Sequence, residues 1–466
     1  MPVSRKRAAV DMTHGSPVRL ILQFTLPMLV GQLLQQVYLL SDTMITGHFI
    51  GDSAIAAIGA STPLHDLMVN FATGMGNGCG ILISQLYGAG HMDRLRKATA
   101  VMLMICVLLG VGLTLVMVLC MEPLLRLLNT PESVFSQALG YGRIVCGGVA
   151  VTILYNMCAS FMRSLGNARM PLVALMIACV LNLVLDVVFV IGLHAGVAGT
   201  GLATLIAQGV SALVSIAYIL RALRPFLPRR EDFRAPGALW RAMTSSGLSM
   251  GLMNSVYSFG NVTMQSAING IGEAAMTAHT SAKRILNLTG APMANLGAAG
   301  AVFISQNYGA HRFERVRTGI RRTLTMVFLW EGLATIAMFT LGPQLLRLLI
   351  GTTNPDILRY GTMTLQASAT MFFPLAYLVT IRQAMQSMGM HVAPVISSSI
   401  ELVVKVVAAF LVVPRFGYAG ACWVEPSTWL LCCLFLMVIY AVRRRDVLHM
   451  TKERGGRGWK TGNDGT

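Results

Sequence analysis

Charged residues are scarce in this sequence. Asp, Glu, Lys and Arg make up 12% of its 466 residues, whereas hydrophobic residues make up 55%. A typical soluble domain has about 25% charged residues, and a chain of this length would need them to cover the surfaces of several domains. The composition therefore excludes an ordinary soluble fold and indicates a protein that resides in a lipid bilayer.

The sequence also lacks the motifs of several classes of protein. It has no Walker-type Gly-rich loop, which excludes direct use of ATP by this chain. It has no His-Glu-x-x-His metalloprotease motif. None of its nine cysteines belongs to a Cys-x-x-Cys pair, so we expect them to act as small apolar side chains. These absences predict a protein that is not an enzyme and needs no cofactor.

Long apolar runs occupy most of the chain. A transmembrane helix needs about 20 mostly apolar residues, and twelve runs meet this requirement. Spans two and eight are long and interrupted by glycine, which predicts bends or tilts in them. The predicted spans are 20–47, 54–87, 98–120, 134–161, 170–192, 198–220, 239–268, 274–308, 324–342, 357–385, 392–413 and 418–441.

Positive charge is in excess and unevenly placed. The 36 Lys and Arg residues outnumber 19 Asp and Glu, which gives a net charge of +17. Most of the cations fall in the tails and in alternate loops, as in Arg5-Lys6-Arg7 and Arg443-Arg444-Arg445. By the positive-inside rule, both termini are expected on the cytoplasmic side of a plasma membrane. No nucleic-acid partner is expected, because that would require a concentrated basic surface.

The two halves of the chain repeat each other. Ile-Ser-Gln-Leu-Tyr-Gly-Ala at 83–89 returns as Ile-Ser-Gln-Asn-Tyr-Gly-Ala at 304–310. Six spans in each half give the halves the same orientation, which makes them parallel repeats. We therefore predict an all-α integral membrane protein with twelve transmembrane helices in two six-helix lobes around a central cleft. The predicted segments are a cytoplasmic N-tail (1–19), an N-lobe (20–220), a cytoplasmic linker (221–238), a C-lobe (239–441) and a basic C-tail (442–466).

Two similar bundles around a cleft favour a secondary transporter that exposes the cleft alternately to each side. Acidic residues inside spans then become the first candidates for function, because each ionised carboxylate costs about 3 kcal/mol at a helix centre. The repeat aligns Asp42 with Asn261 and Asp66 with Asn287. The N-terminal half thus has a carboxylate where the C-terminal half has an amide. The acidic residues inside spans are Asp42, Asp66, Asp186, Glu331, Glu401 and Glu425.

Three polar helix faces can meet in the N-lobe. Residues three or four apart share a helix face, and such faces carry Gln35, Tyr38 and Asp42 in span one, Asn182 and Asp186 in span five, and Thr204 and Gln208 in span six. Their convergence would form an oxygen-rich pocket in which two carboxylates share a proton or a sodium ion. Alternatively, these side chains only hold helices together. We expect Gln35, Tyr38, Asp66 and Gln208 to act in substrate binding or gating.

The remaining charges inside spans have simpler explanations. Glu401 and Lys405 lie four apart and are expected to form an ion pair. Glu331 is expected to pair with a basic residue upstream, and Glu425, near a span end, could simply be hydrated. The cations of span eight, Lys283 and Arg284, could pair with buried acids or reach towards the membrane surface.

Several motifs resemble those of multidrug and toxic compound extrusion (MATE) transporters of the DinF-like branch. They include Leu26-Pro27-Met28, Ser41-Asp42-Thr43, Arg163-Ser164-Leu165-Gly166-Asn167 and Gly199-Thr200-Gly201. The resemblance implies export of organic, often cationic, compounds in exchange for H+ or Na+, and function as a monomer in the lipid bilayer. It also implies an ion-coupling site at Asp42, Asn182, Asp186 and Thr204, and a helix bend at Pro27.

The resemblance also has a point of departure and a rival. Another bacterial branch of the family has an acid near the start of span seven, where this sequence has Asn254 and Ser255. A C-lobe ion site of that type is therefore not expected. The rival function is a lipid-linked precursor flippase, which would favour a wide cationic cleft.

Overall fold

The computed structural model describes residues 9–127, 130–351 and 354–454. All regular elements in these ranges are helices, which confirms the predicted all-α class. The twelve helices are α1 (Pro17–Phe49), α2 (Asp52–Gly88), α3 (Met92–Leu127), α4 (Glu132–Gly147 and Val149–Ser164), α5 (Arg169–Asp186), α6 (Gly196–Ala222), α7 (Gly237–Asn269), α8 (Glu273–Gly309), α9 (Phe313–Ile350), α10 (Pro355–Thr370 and Phe372–Ser387), α11 (Val392–Leu411) and α12 (Val413–Arg454).

Two of these helices are sharply broken. The segments of α4 meet at 41° and those of α10 at 56°. With each broken pair counted once, eleven helices of the described chain are long and apolar enough to cross a membrane. The exception, α7, is rich in Ser, Asn and Gly and packs along α2. The predicted arrangement of twelve transmembrane helices in two lobes is the fold that is observed.

Several helices extend beyond the predicted spans. Helix α3 begins at Met92 rather than 98, and α9 runs from Phe313 to Ile350 rather than over 324–342. Hydropathy marks only the apolar part of a helix, whereas Arg, Lys and Glu in the adjoining turns also favour helix. The predicted limits were therefore too short at these ends.

The sharp breaks do not fall in spans two and eight, where glycines predicted bends. Helices α2 and α8 are each continuous over 37 residues. A Cβ atom on Gly74 would lie 2.6 Å from the carbonyl oxygen of Met250 in α7, and one on Gly78 would lie 2.4 Å from that of Ser246. These glycines therefore permit close contact between helices, as small residues commonly do in membranes.

The lobes meet along α2 and α7 and again where α2 and α8 end. We call this the basic end of the molecule, because Arg312 and Arg315 lie there beside the turns after α2, α4, α8 and α10. Gly88 packs on the backbone of Gln306, and Gly309 packs on that of Gln85. The Gln85 side chain also donates a hydrogen bond to the carbonyl oxygen of Ser387 (2.7 Å). The repeat thus places corresponding residues against each other across the interface.

A short segment before α1 also bridges the lobes. We call residues 9–16 the N-terminal strap. The backbone N–H of Val10 donates to the carbonyl oxygen of Leu165 in the N-lobe (2.9 Å). The backbone N–H of Met12 donates to Gln306 Oε1 in the C-lobe (2.8 Å), and Arg315 donates to the carbonyl oxygens of Met12 and Gly15. This part of the predicted N-tail therefore joins both lobes at the basic end.

Candidate ion-coupling site

Helices α1 and α6 bring two polar side chains together inside the N-lobe. The hydroxyl of Tyr38 lies 3.1 Å from the Thr204 hydroxyl, in a hydrogen bond that either group can donate. Asp42 follows Tyr38 by one turn of α1, so its carboxyl lies on the same face. Both Tyr38 and Asp42 are partly buried.

Helix α5 supplies the deepest residues of this cluster. Asn182 and Asp186 are both buried, each with 1% of its surface exposed. With its amide oriented to satisfy both neighbours, Asn182 donates to Asp186 Oδ2 (2.9 Å) and accepts from the backbone N–H of Thr204 (3.2 Å). The α-helix ends at Asp186 and continues as a π-helical turn, Val187–Gly192, and such turns often occur at functional sites.

The two carboxyl groups of the cluster are neighbours that are close enough to interact electrostatically. One oxygen of each, Oδ1 of Asp42 and Oδ1 of Asp186, is buried without a hydrogen-bond partner. No Lys or Arg forms an ion pair with either carboxylate in the part of the chain that the structure describes. Since two ionised carboxylates at this separation repel each other, the doubly charged pair needs a proton or a cation.

Further unsatisfied oxygens line α6. The side-chain oxygens of Thr200, Gln208, Ser211 and Ser215 are buried without hydrogen-bond partners. Steps of three or four residues place them, with Thr204, on one face of the helix. The sequence prediction included Gln208 and missed the others, although their spacing is visible in the sequence. These oxygens form a polar stripe that continues from the carboxyl pair along α6.

The other predicted residues lie outside the cluster. Gln35 is exposed and lines a separate cavity of about 220 Å³, next to Pro27. Pro27 lies inside α1, which is continuous around it. Asp66 has 60% of its side chain exposed, and its carboxylate is 3.7 Å from the His65 ring. The structure therefore brings Tyr38, Asp42, Asn182, Asp186 and Thr204 together but leaves Gln35 and Asp66 apart from them.

The C-lobe has a charged cluster at the corresponding place. The Lys405 ammonium donates to Asn261 Oδ1 (2.9 Å) and lies 3.2 Å from Glu401 and 3.5 Å from Glu425. Glu425 also forms an ion pair with Lys283. The predicted pairing of Glu401 with Lys405 is confirmed. The prediction of a hydrated Glu425 was wrong, because cations from α8 and α11 enclose it.

The repeat relates the two clusters residue by residue. Pro171 aligns with Pro394, which sets Asn182 opposite Lys405. Gly199 aligns with Gly420, which sets Thr204 opposite Glu425. Together with the pairing of Asp42 and Asn261, this alignment sets Lys405 opposite a member of the N-lobe cluster. The C-lobe thus has a lysine at a position where the N-lobe has an amide.

The structure contradicts the predicted pairing of Glu331 with a basic residue upstream. It is buried, with 1% of its surface exposed, and its Oε1 has no hydrogen-bond partner. The two basic residues upstream, Arg321 and Arg322, are exposed and form no ion pair with it in the described structure. Its neighbours on the same helix face, Val327 and Ala334, belong to apolar clusters. Helical phase explains the error, because the face of α9 that carries Glu331 points into the C-lobe core.

Comparisons with known proteins agree with this architecture. A protein-family model described as MatE matches residues 27–188 and again residues 250–411, one match in each half of the chain. The chain is 28% identical to the probable multidrug resistance protein YoeA of Bacillus subtilis (strain 168), over 70% of this chain and 72% of that protein. It is 23% identical to the multidrug export protein MepA of Staphylococcus saprophyticus, over 91% of this chain and 94% of that protein.

A solved structure gives the same result for the fold. The crystal structure of MATE in the bent conformation superposes with a TM-score of 0.87, at 22% sequence identity, over 95% of this chain and 98% of that chain. The two family matches cover more than half of the sequence and coincide with the two lobes. The chain therefore belongs to the MatE family, the multidrug and toxic compound extrusion transporters.

Proposed function

We propose that the protein is an antiporter that exports organic compounds in exchange for H+ or Na+, with the N-lobe cluster as its coupling site. The observation that carries the proposal is the Asp42–Asp186 pair, two neighbouring carboxyl groups with which no described Lys or Arg forms an ion pair. A proton on one carboxyl, or a cation between them, would relieve the repulsion. Binding of the coupling ion would therefore change the packing of α1 against α5.

The contrast between the lobes supports a single coupling site. In the C-lobe, Lys283, Arg382 and Lys405 already neutralise Glu401 and Glu425, so that cluster has no need of an external ion. In the N-lobe, the free oxygens of Asp42, Asp186 and Thr200 are hard ligands of the type that small cations prefer. We infer that the N-lobe responds to the ion gradient and that the C-lobe remains fixed.

The arrangement of the lobes gives the direction of transport. We propose that the protein lies in a bacterial plasma membrane and that the basic end is on the cytoplasmic side, since its arginines follow the positive-inside rule. The contacts of Gly88 and Gly309 then close the cytoplasmic side. In this state a compound could leave only towards the outside.

The gradients suffice for coupled export. A tenfold ion gradient supplies about 1.4 kcal/mol, and a membrane potential of 100 mV adds about 2.3 kcal/mol for each net charge moved. Exchange of one monovalent ion for a monovalent cationic compound moves no net charge and uses only the chemical gradient. A neutral compound would use both terms.

The test is dye efflux from proteoliposomes with an imposed pH or sodium gradient. Asp42→Asn and Asp186→Asn preserve the shape of the side chains but remove the charge that the coupling ion neutralises. We expect gradient-driven efflux to fall at least tenfold in each variant, while dye binding without a gradient is retained. Asp93→Asn is the matched control, because Asp93 is exposed in the first turn of α3.

Two outcomes would contradict the proposal. Unchanged gradient-driven efflux in both Asp variants would show that the ion is coupled elsewhere. An equal loss in Asp93→Asn would show that the assay does not report the N-lobe cluster.

A lipid-linked precursor flippase has less support, because Lys283, Arg382 and Lys405 are all engaged by Glu401 or Glu425.

A further inference from the structure

A cavity of about 300 Å³ lies between the lobes near the basic end. Helices α1, α2 and α4 of the N-lobe line one side of it, and α7, α8 and α10 of the C-lobe line the other. Its wall therefore changes whenever the lobes move relative to each other. A compound held there would contact both lobes at once.

The cavity contains an arginine that has no carboxylate partner. Arg163 was predicted to follow span four, but α4 extends to Ser164 and carries the guanidinium into the cavity wall. Its Nη2 donates to Ser160 Oγ (3.0 Å) and to Asn77 Oδ1 (3.5 Å). Both acceptors are neutral, and no described acidic residue lines the cavity. In the described structure, no carboxylate therefore neutralises the charge of Arg163.

Other polar groups in the wall also lack partners. Gln386, with 0% of its surface exposed, and Ser305, with 1%, line the cavity. The Oε1 atoms of Gln383 and Gln386 and the hydroxyl of Ser305 have no hydrogen-bond partner. Buried polar groups are normally satisfied, so these atoms point to a ligand with hydrogen-bond donors or to bound water.

The rest of the wall is apolar. Phe24, Met28, Met250 and Val302 contribute aromatic, thioether and aliphatic surface. Thioether side chains adapt to apolar ligands of different shapes. A suitable ligand therefore combines an apolar body with one anionic group and a few donors.

We propose that this cavity binds amphipathic organic compounds that carry an anionic group, and that Arg163 recognises this group. The inference rests on the proposed export function, because it treats the cavity as part of the transport path. These compounds differ from the cationic substrates that the family resemblance implies. The described wall of the cavity offers a cation no carboxylate. A zwitterion would fit only with its anionic group at Arg163.

Two dyes test this proposal with a single chemical difference. Rhodamine 110 carries a free carboxylate, and rhodamine 123 is its methyl ester, so their aromatic bodies are the same. Binding of each dye to the purified protein in phosphatidylcholine nanodiscs is measured by fluorescence anisotropy, without any ion gradient. We expect the wild-type protein to bind rhodamine 110 more tightly.

Substitution of the arginine separates recognition from stability. Arg163→Gln is expected to weaken rhodamine 110 binding about tenfold or more, the loss expected for a charge-assisted hydrogen bond, and to leave rhodamine 123 binding unchanged. Arg163→Lys keeps the charge and should restore part of the affinity. The matched control is Arg143→Gln, because Arg143 lies in the same helix, 55% exposed and outside the cavity.

The outcomes distinguish the possible explanations. The proposal would be overturned if Arg163→Gln weakened the binding of both dyes equally, or if the wild-type protein bound both dyes with equal affinity. Displacement of rhodamine 110 by phosphatidylglycerol, in the wild type but not in Arg163→Gln, would assign the same anion site to a lipid headgroup rather than a soluble compound. The binding assay uses no ion gradient, so a negative result would not bear on the coupling proposal. That proposal is tested separately by efflux with Asp42→Asn.

Discussion

The contact between α2 and α8 at the basic end provides a sharp test of how the transporter closes. A Cβ atom at Gly88 would lie 1.9 Å from the carbonyl oxygen of Gln306, and one at Gly309 would lie 1.9 Å from that of Gln85. Both obstructing atoms belong to helix backbones, which cannot move aside as a flexible side chain can. Gly88→Ala and Gly309→Ala should therefore force the lobes apart.

The size of the effect follows from this geometry. Ordinary van der Waals contact begins at 3.4 Å, so an added methyl group requires the helices to separate by about 1.5 Å or to remain compressed. Overpacking of this kind costs about 1–3 kcal/mol. The cost falls on the closed state alone, because the helices separate when the basic end opens. The ratio of open to closed molecules should rise about 5- to 150-fold.

The assay is a distance measurement across the basic end. Spin labels at Met92→Cys in α3 and Arg317→Cys in α9 occupy exposed positions in different lobes, and double electron–electron resonance gives the distribution of distances between them. We expect each alanine variant to increase the fraction of molecules with the longer distances between the labels. The double variant should increase this fraction by less than the sum of the two single variants, because one separation of the lobes relieves both contacts.

The controls use the same substitution in the same helices. Gly59 in α2 and Gly290 in α8 have no atom within 4 Å of an added Cβ, so Gly59→Ala and Gly290→Ala should leave the distances unchanged. The reasoning is refuted if the controls shift the distances equally. It is also refuted if Gly88→Ala lowers thermal stability without altering the distances, since the glycine would then serve folding rather than closure.

Two further predictions concern the N-terminal strap and the C-lobe cluster. Arg315→Ala removes hydrogen bonds to the carbonyl oxygens of Met12 and Gly15, so a cysteine at Met12, which is 1% exposed, should react faster with a water-soluble maleimide. The exposed Arg317 provides the control Arg317→Ala, and equal rates in the two variants would contradict a bridging role for the strap. Lys405→Gln removes the cation shared by Glu401 and Glu425, which keep Arg382 and Lys283 as partners, and should cost about 2 kcal/mol of stability. Sodium chloride should restore part of the lost thermal stability and choline chloride should not, whereas equal recovery in both salts would show that no cation replaces Lys405.

The sequence alone determined the class of protein and most of its architecture. Charge scarcity, twelve apolar runs and the repeat of 83–89 at 304–310 sufficed to predict a membrane protein with two parallel six-helix lobes. These signals are local or periodic, so they do not depend on which helices touch. The spacing of Asn182 and Asp186 likewise identified them as neighbours on one helix face. Their role in coupling stays a prediction.

Helix ends were less predictable, for a physical reason. Hydropathy detects burial in lipid, but a helix continues into water wherever Arg, Lys or Glu follows the apolar run. Arg163 illustrates the consequence. The sequence placed it after span four, and only the structure showed that α4 carries it between the lobes.

Tertiary structure alone decided the environment of each buried charge. Glu331, Glu401 and Glu425 are equally acidic in sequence, yet one lies alone in an apolar core and the other two contact Lys405. Glu425 pairs with Lys283 from α8 and Lys405 from α11, whereas Lys405 lies four residues from Glu401 on the same helix. The energy of a charge in a membrane therefore depends on such contacts as well as on its own helix. The sequence by itself therefore determined which few charges enter the membrane. Only the packing of the helices decided that Lys283 and Lys405 pair with Glu425 and Arg382 with Glu401, whereas no described Lys or Arg pairs with Asp42 or Asp186.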